Sequence, residues 1–216
     1  MITHHPDSNT LVEFSSGTLP VAHSVCVSTH LDHCSECRSK LAKLDDLGGA
    51  MLENGTAESV SSSVFDAVML RLDEVSPEPA ANDATAASLS SMVKKIRSGA
   101  TADLNWRRVT KSLRIASLGD LPGASEVSVY HISEGGKIPQ HNHSGTEMTL
   151  VLSGGFSDET GIYHAGDFLV REAGDIHAPT ALPGGDCICL AVLESPLKFT
   201  RWHYRWLNPL LQLRAG

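Results

Sequence analysis

Two groups of residues in this chain have the types and spacing to hold metal ions. The first is His30-Leu-Asp-His-Cys34-Ser-Glu-Cys37, an H-x3-C-x2-C run. Two thiolates three residues apart reach one ion from the first turn of a helix, and the positive end of that helix favours the thiolate form. A histidine four residues earlier approaches from the end of the preceding helix. Zinc takes four nitrogen or sulfur ligands in a tetrahedron, and this run supplies three. The spacing leaves the fourth open. His4 and His5 lie nearest outside the run, and His23 and His33 are also at hand. The competing interpretation is a redox CxxC, but no βαβ pattern surrounds it.

The second group is His141-Asn-His143-Ser-Gly-Thr-Glu147, set between Gly135 and Gly154 as G-x5-H-x-H-x3-E-x6-G, with His177 following in Gly174-Asp-Ile-His177. Histidines at i and i+2 on a strand point to the same side. Glu147 opens the next strand and can face the same ion. Three imidazoles and one carboxylate suit zinc, iron, manganese, nickel or copper. A third pair, Cys187 and Cys189, also shares one side of a strand. It could sense an oxidant or simply fill the core, and i, i+2 spacing is poor for an unstrained disulfide. Cys26 reads as a core residue.

The elements that must position these residues divide the chain in two. Thr10-Leu-Val-Glu13 has the form of a capping box and opens a first short helix that ends at Gly17. Pro20 suits the first position of a second helix, with Val21, Val25 and Ala22, Cys26 at spacing four. A third helix is predicted from Cys34 to Leu47, with Gly48-Gly49 as its stop. A fourth is predicted over 62–75, where Val64, Phe65, Val68, Met69, Leu72 and Val75 make one apolar face. Residues 76–91 are small, polar and proline-containing and read as linker. From Trp106 the texture changes to short strands between Gly, Pro and Asp turns. They are predicted over 125–133, 148–154, 166–171 and 186–194, and they suggest a closed barrel or a sandwich. Trp202 to Leu213 is apolar and is expected to cover the barrel.

Charge and aromatic content divide at the same place. The chain of 216 residues carries a formal charge of −8. Residues 1–90 hold 13 acidic and 4 basic residues, a net of −9, and residues 91–216 hold 12 and 13, a net of +1. Phosphate would repel the first part, so direct nucleic-acid binding is disfavoured and a basic protein partner is favoured. There is no apolar run long enough for a membrane span and no secretory signal pattern, so a cytoplasmic protein is expected. The first helices can bury little apolar area without a metal or a partner.

The Gly135-to-Gly154 pattern resembles the first motif of the cupin family, small double-stranded β-barrels with a metal inside. The second motif departs from it: Glu172 stands where the family has Pro, and Ala181 where it has Asn. Together with the opening His4-His5 pair, H-x3-C-x2-C and the Asp-Cys-Ile-Cys-Leu strand, the chain resembles the ChrR-type cupin anti-sigma factors over nearly its whole length. The resemblance implies a multidomain α plus β architecture, a small zinc-binding helical bundle followed by a cupin barrel. The implied divisions are an anti-sigma domain at 1–75, a linker at 76–103, a cupin-like sensor at 104–195 and a C-terminal segment at 196–216.

It further implies a non-catalytic regulator. The N-terminal zinc domain would grip an extracytoplasmic-function sigma factor in a 1:1 complex and block its access to core RNA polymerase. The cupin domain would be dispensable for the grip but required for release under oxidative signals such as singlet oxygen. The implied zinc ligands are His5, His30, Cys34 and Cys37. The implied cupin ligands are His141, His143, Glu147 and His177, for zinc or another divalent transition metal. The sigma-binding face would include Val64, Phe65, Val68, Met69 and Leu72. Two other classes compete: a metal-dependent cupin dioxygenase acting on a small diketone or phenol, and a zinc-dependent DNA-binding module.

Overall fold

The computed structural model describes residues 2–72, 88, 91–96, 98, 104–121 and 124–200, with the side chains of 120, 121, 124 and 125 left aside. Four helices come first: α1 (Ser8–Ser15), α2 (Val21–Leu31), α3 (Ser35–Glu53) and α4 (Ser62–Arg71). The cap of α1 is Asp7, whose carboxylate accepts the Thr10 N–H at 2.7 Å, and not the Thr10 box expected. Asp and Thr are both good caps, and the charged oxygen three residues earlier takes the position. Pro20 sits at the N-cap of α2, one residue before the first helical position.

The predicted stop at Gly48-Gly49 fails. α3 runs through both glycines to Glu53 and closes at Asn54. Glycine inside a helix costs about 1 kcal/mol relative to alanine, which weakens a helix without ending it. The extension carries Met51 and Leu52 into solvent. α4 also lies exposed along its length and ends at Arg71, so the predicted residues 73–75 fall outside the described part.

The strands form a six-stranded antiparallel sheet and two three-stranded sheets. The large sheet runs β1 (Arg107–Arg108), β2 (Leu113–Leu121), β3 (Ala124–Ile132), β11 (Cys187–Leu193), β5 (Glu147–Ser153), β8 (Phe168–Arg171). One small sheet runs β10 (Thr180–Ala181), β6 (Gly155–Ser157), β7 (Ile162–His164); the other runs β12 (Lys198–Phe199), β4 (His141–Asn142), β9 (Ile176–His177). Hydrogen bonding among the described residues does not close them into one barrel, so the expected cupin fold takes the form of an open roll of facing sheets, nearer the sandwich than the closed barrel of the two forms expected. β5 and β11 are almost wholly buried, as strands covered on both faces must be. β2 escaped the sequence reading because Gly119 and Asp120 look like a turn; the strand instead absorbs register shifts against β3 there.

The core has two parts, one on each side of the large sheet. Leu113, Tyr130, Ile132, Val151, Phe156, Cys187 and Cys189 fill the inside of the roll. Val127, Val129, Leu150, Leu190 and Val192 face the other way and join one cluster with Ala22, Val25, Val27 and Leu31 of α2. Thus α2 packs across β11, β5 and β3. Residues 91–96, inside the segment read as linker, are helical and bury Val93 and Ile96 in that same cluster. The rest of the predicted linker and the Trp202 to Leu213 cover lie largely outside the described residues. Leu197 and Phe199, just before that cover, are buried.

Candidate metal centres

The first centre forms where the end of α2, the start of α3 and the N-terminal segment meet. Cys34 is the N-cap of α3, and its sulfur accepts the Cys37 N–H at 3.4 Å. His30 Nδ1 lies 2.9 Å from the Gly166 carbonyl. A carbonyl only accepts, so Nδ1 carries the proton and Nε2 presents its lone pair, 3.3 Å from Cys37 Sγ. His5 Nδ1 lies 3.3 Å from Cys34 Sγ and 3.4 Å from Cys37 Sγ. One donor atom from each of the four residues lies within 4.8 Å of the others. Of the four histidines the spacing left open, the structure brings His5 to the thiols, and it sends His4 to Asp167, at 3.6 Å.

These residues fit a tetrahedral ion. Bonds of about 2.0–2.3 Å give ligand separations of about 3.3–3.8 Å at tetrahedral angles. Left alone, the site is poor at ionising its sulfur: burial, the Cys34 hydrogen bond and the Cys34 charge push the Cys37 thiol up to about 12. A cation held by these four residues would supply the charge that favours the Cys37 thiolate. His30 is kept neutral, its pKa lowered chiefly by burial.

The second centre lies inside the roll. β4 supplies His141, the turn after it His143, β5 Glu147 and β9 His177. The pairing of β4 with β9 sets His141 opposite His177. All four side chains are buried. The Nε2 atoms of His141 and His177 are 2.9 Å apart, and those of His143 and His177 3.1 Å. Glu147 Oε2 is 3.3 Å from His143 Nε2 and has no hydrogen-bond partner among the described residues. A buried carboxylate oxygen without a donor is costly. Burial, and then the neighbouring His177, lowers His141 to about 3 and His143 to about 4, and burial raises Glu147 to about 7. Three neutral imidazoles converging on an unpartnered carboxylate oxygen are a ligand set for one divalent cation.

Sequence reasoning missed the residues that aim these ligands. His141 Nδ1 donates to the Pro139 carbonyl at 2.9 Å. His177 Nδ1 lies 3.1 Å from Asp158 Oδ2, which also accepts from Arg171 at 2.6 Å. The Asp158 side chain is fully buried. That burial opposes its charge, but hydrogen bonds from Thr160 and His177, with Arg171 beside it, hold it at about 2. Nineteen residues separate Asp158 from His177, and no motif links them. Asp158→Asn is expected to weaken ion binding at this centre about 10-fold, as removal of a carboxylate behind a histidine ligand does. Chelator competition would measure it, and an unchanged affinity would leave Asp158 a role toward Arg171 only. The Glu172 departure from the cupin pattern is also accounted for: its N–H, which proline would lack, donates to Asp175 Oδ2 at 2.9 Å and keeps the turn.

Of the remaining predicted residues, Cys187 and Cys189 are buried on one side of β11 with sulfurs 3.5 Å apart. Cys189 lines the small cavity against His141, Glu147 and His177. Cys26 is fully buried, its thiol driven far up by that burial. Val64, Phe65, Val68, Met69 and Leu72 all lie exposed on and just past α4.

A thiol-and-histidine helical region joined to a roll with a three-histidine, one-glutamate centre defines a cupin-type regulator rather than a lone cupin. Residues 96–196 match the family described as the ChrR cupin-like domain. The anti-sigma-E factor ChrR of Cereibacter sphaeroides is 34% identical over 216 residues, covering 98% of this chain and 99% of that one. The crystal structure of Rhodobacter sphaeroides SigE in complex with the anti-sigma ChrR superposes with a TM-score of 0.71, at 34% identity, over 89% of this chain and 100% of that one. The chain belongs to the ChrR family of anti-sigma factors.

Proposed function

We propose that this chain is an anti-sigma factor whose helical region, residues 1–75, binds an extracytoplasmic-function sigma factor 1:1 and keeps it from core RNA polymerase. The observation that carries this reading is the full-length match to a relative solved with its sigma factor bound. Zinc at His5, His30, Cys34 and Cys37 staples the N-terminal segment to α2 and α3. His141, His143, Glu147 and His177 hold zinc or another divalent ion in the cupin-like domain, residues 104–195. That domain is required for release under oxidative signals such as singlet oxygen, with Cys187 and Cys189 available as redox groups. No helix among the described residues is long and apolar enough to cross a membrane, and the site of action is the cytoplasm.

Physical features favour the same reading. α4 presents Val64, Phe65, Val68, Met69 and Leu72 to solvent; Phe65 is 67% exposed. An apolar helix face of this kind suits a groove on a partner. The net charge of −9 over residues 1–90 suits a basic one. The dioxygenase alternative needs room for an organic substrate at the second centre. The cavity there is only about 20 Å³, enough for roughly one water.

Phe65→Asp with Met69→Asp is expected to weaken binding to the organism's extracytoplasmic-function sigma factor at least about 100-fold, because apolar anchors at an interface centre carry about 2 kcal/mol or more each. Metal content should stay at two ions per chain. Unchanged affinity in calorimetry would remove α4 from the grip, and no binding by the unaltered chain would remove the function.

A further inference from the structure

The first centre is not held by the helical region alone. Three residues of the roll, Gly166, Asp167 and Phe168, at the turn between β7 and β8, touch the segments that carry His5 and His30. The Gly166 carbonyl fixes the His30 ring through Nδ1 at 2.9 Å. The Phe168 ring meets the His30 ring edge-on, with centroids 5.7 Å apart. The Phe168 N–H donates to the His4 carbonyl at 3.0 Å. Gly166 makes room for this approach: a Cβ there would lie 2.7 Å from the Ile2 side chain, and its φ of 95° is one that favours glycine.

Asp167 is the centre of the arrangement. Its side chain is completely buried. Oδ1 accepts the N–H groups of Thr3 at 2.7 Å and His4 at 3.0 Å, and Oδ2 accepts the His164 N–H at 2.8 Å. One carboxylate therefore grips the N-terminal segment with one oxygen and its own turn with the other. His5 follows directly on the gripped residues.

We infer that the turn at residues 166–168 is a latch by which the cupin-like domain positions two of the four ligands of the other centre, with Asp167 as the positioning residue for His5 and the Gly166 carbonyl for His30. The inference deepens the function proposed above and rests on an ion being held by His5, His30, Cys34 and Cys37. Its consequence is a physical route between the two halves. A displacement of β7 or β8 pulls on His5 and turns His30, so the ion loses nitrogen ligands before the thiolates or the helices are disturbed. The Gly166 carbonyl on His30 is an outer-shell partner of the kind whose loss costs about 10–100-fold in metal affinity, and Asp167 acts one step further out, through the backbone that leads into His5.

The test is thiol reactivity of the zinc-loaded full chain, read residue by residue by mass spectrometry after timed alkylation. Zinc should protect Cys34 and Cys37 in the unaltered chain. Asp167→Asn puts an amide N–H where one of the accepting oxygens stood and should speed alkylation of Cys34 and Cys37 about 10-fold. Cys187 and Cys189, inside the roll, should stay unreactive, which separates a released latch from an unfolded domain. Thr3→Pro removes a donor from the opposite side, leaves every residue of the roll in place, and should give the same acceleration. Protection of Cys34 and Cys37 that is equal in the unaltered chain and in Thr3→Pro overturns the latch. Alkylation of the unaltered chain at the same rate with zinc and with chelator overturns the first centre itself.

Discussion

A chain carrying Cys34→Ala and Cys37→Ala is expected to lose one of its two ions and essentially all sigma-factor binding, a loss of at least about 100-fold. The reason is the small core. α1, α2 and α3 share few large side chains, and Cys34 and Cys37 are themselves among the buried members of their cluster. Zinc in sites of this kind supplies roughly 10–16 kcal/mol of apparent binding free energy, which is folding free energy where no preformed site exists. Removing the thiols takes away the staple between the N-terminal segment, α2 and α3. Metal analysis together with calorimetry against the sigma factor measures both effects. Full-strength binding by the double variant would separate the grip from the first centre. The roll should keep its ion, because its ligands share no atom with this site.

The second large effect concerns Glu147 and changes sign with metal. Its pKa rises from the ordinary 4.5 to about 7 because burial disfavours the charged form. In the metal-free chain the folded state therefore holds a proton that the unfolded state has released, between those two values. Stability falls as pH rises through that window, by about 3 kcal/mol once pH is well above 7. The histidines run the opposite way: with pKa values lowered to about 3 for His141 and about 4 for His143, they add stability as pH rises toward 6.5. Glu147→Gln removes the carboxylate penalty and leaves the histidine gain. At pH 8 it should raise the melting temperature of the metal-free chain by roughly 6–12 °C. In the metal-loaded chain the same change removes a ligand, should cost at least about 100-fold in ion affinity, and should lower the melting temperature. Calorimetric scans with and without metal check both halves. A variant that destabilises both forms would mean that Glu147 is not the uncompensated charge.

Both candidate ligand sets were legible because metal chemistry leaves short, typed spacings. H-x3-C-x2-C and G-x5-H-x-H-x3-E-x6-G name three of four donors in each case. Of the long strands, β2 was missed, but the alternating or apolar runs at 125–133 and 186–194 became β3 and β11 to within a residue or two. What failed locally was punctuation. Gly48-Gly49 did not stop α3, because helix ends depend on what the next turn packs against, and the extended turn simply stands in water. The two-residue strands β4, β9, β10 and β12 owe their form to pairing partners far away in sequence. Long-range placement was legible only through the family resemblance or not at all. The choice of His5 over His4 depends on Asp167, more than 160 residues on. The orienting role of Asp158 depends on a turn that brings it behind His177.

The shared apolar cluster beneath α2 bears on how a signal could travel. Val25, Val27 and Leu31 lie in one body with Val127, Leu150, Leu190 and Val192. Fully burying such a side chain stabilises by about 1.5–3 kcal/mol, so peeling α2 off the sheet costs on the order of 5 kcal/mol even if half that burial is retained against other helices. Every 1.4 kcal/mol is tenfold, which leaves roughly one molecule in several thousand spontaneously parted. A stimulus that had to wedge the halves open would work against that whole adhesive seam. One that displaced only the connection from β7 to β8 would work against a handful of hydrogen bonds, a far smaller barrier than the seam.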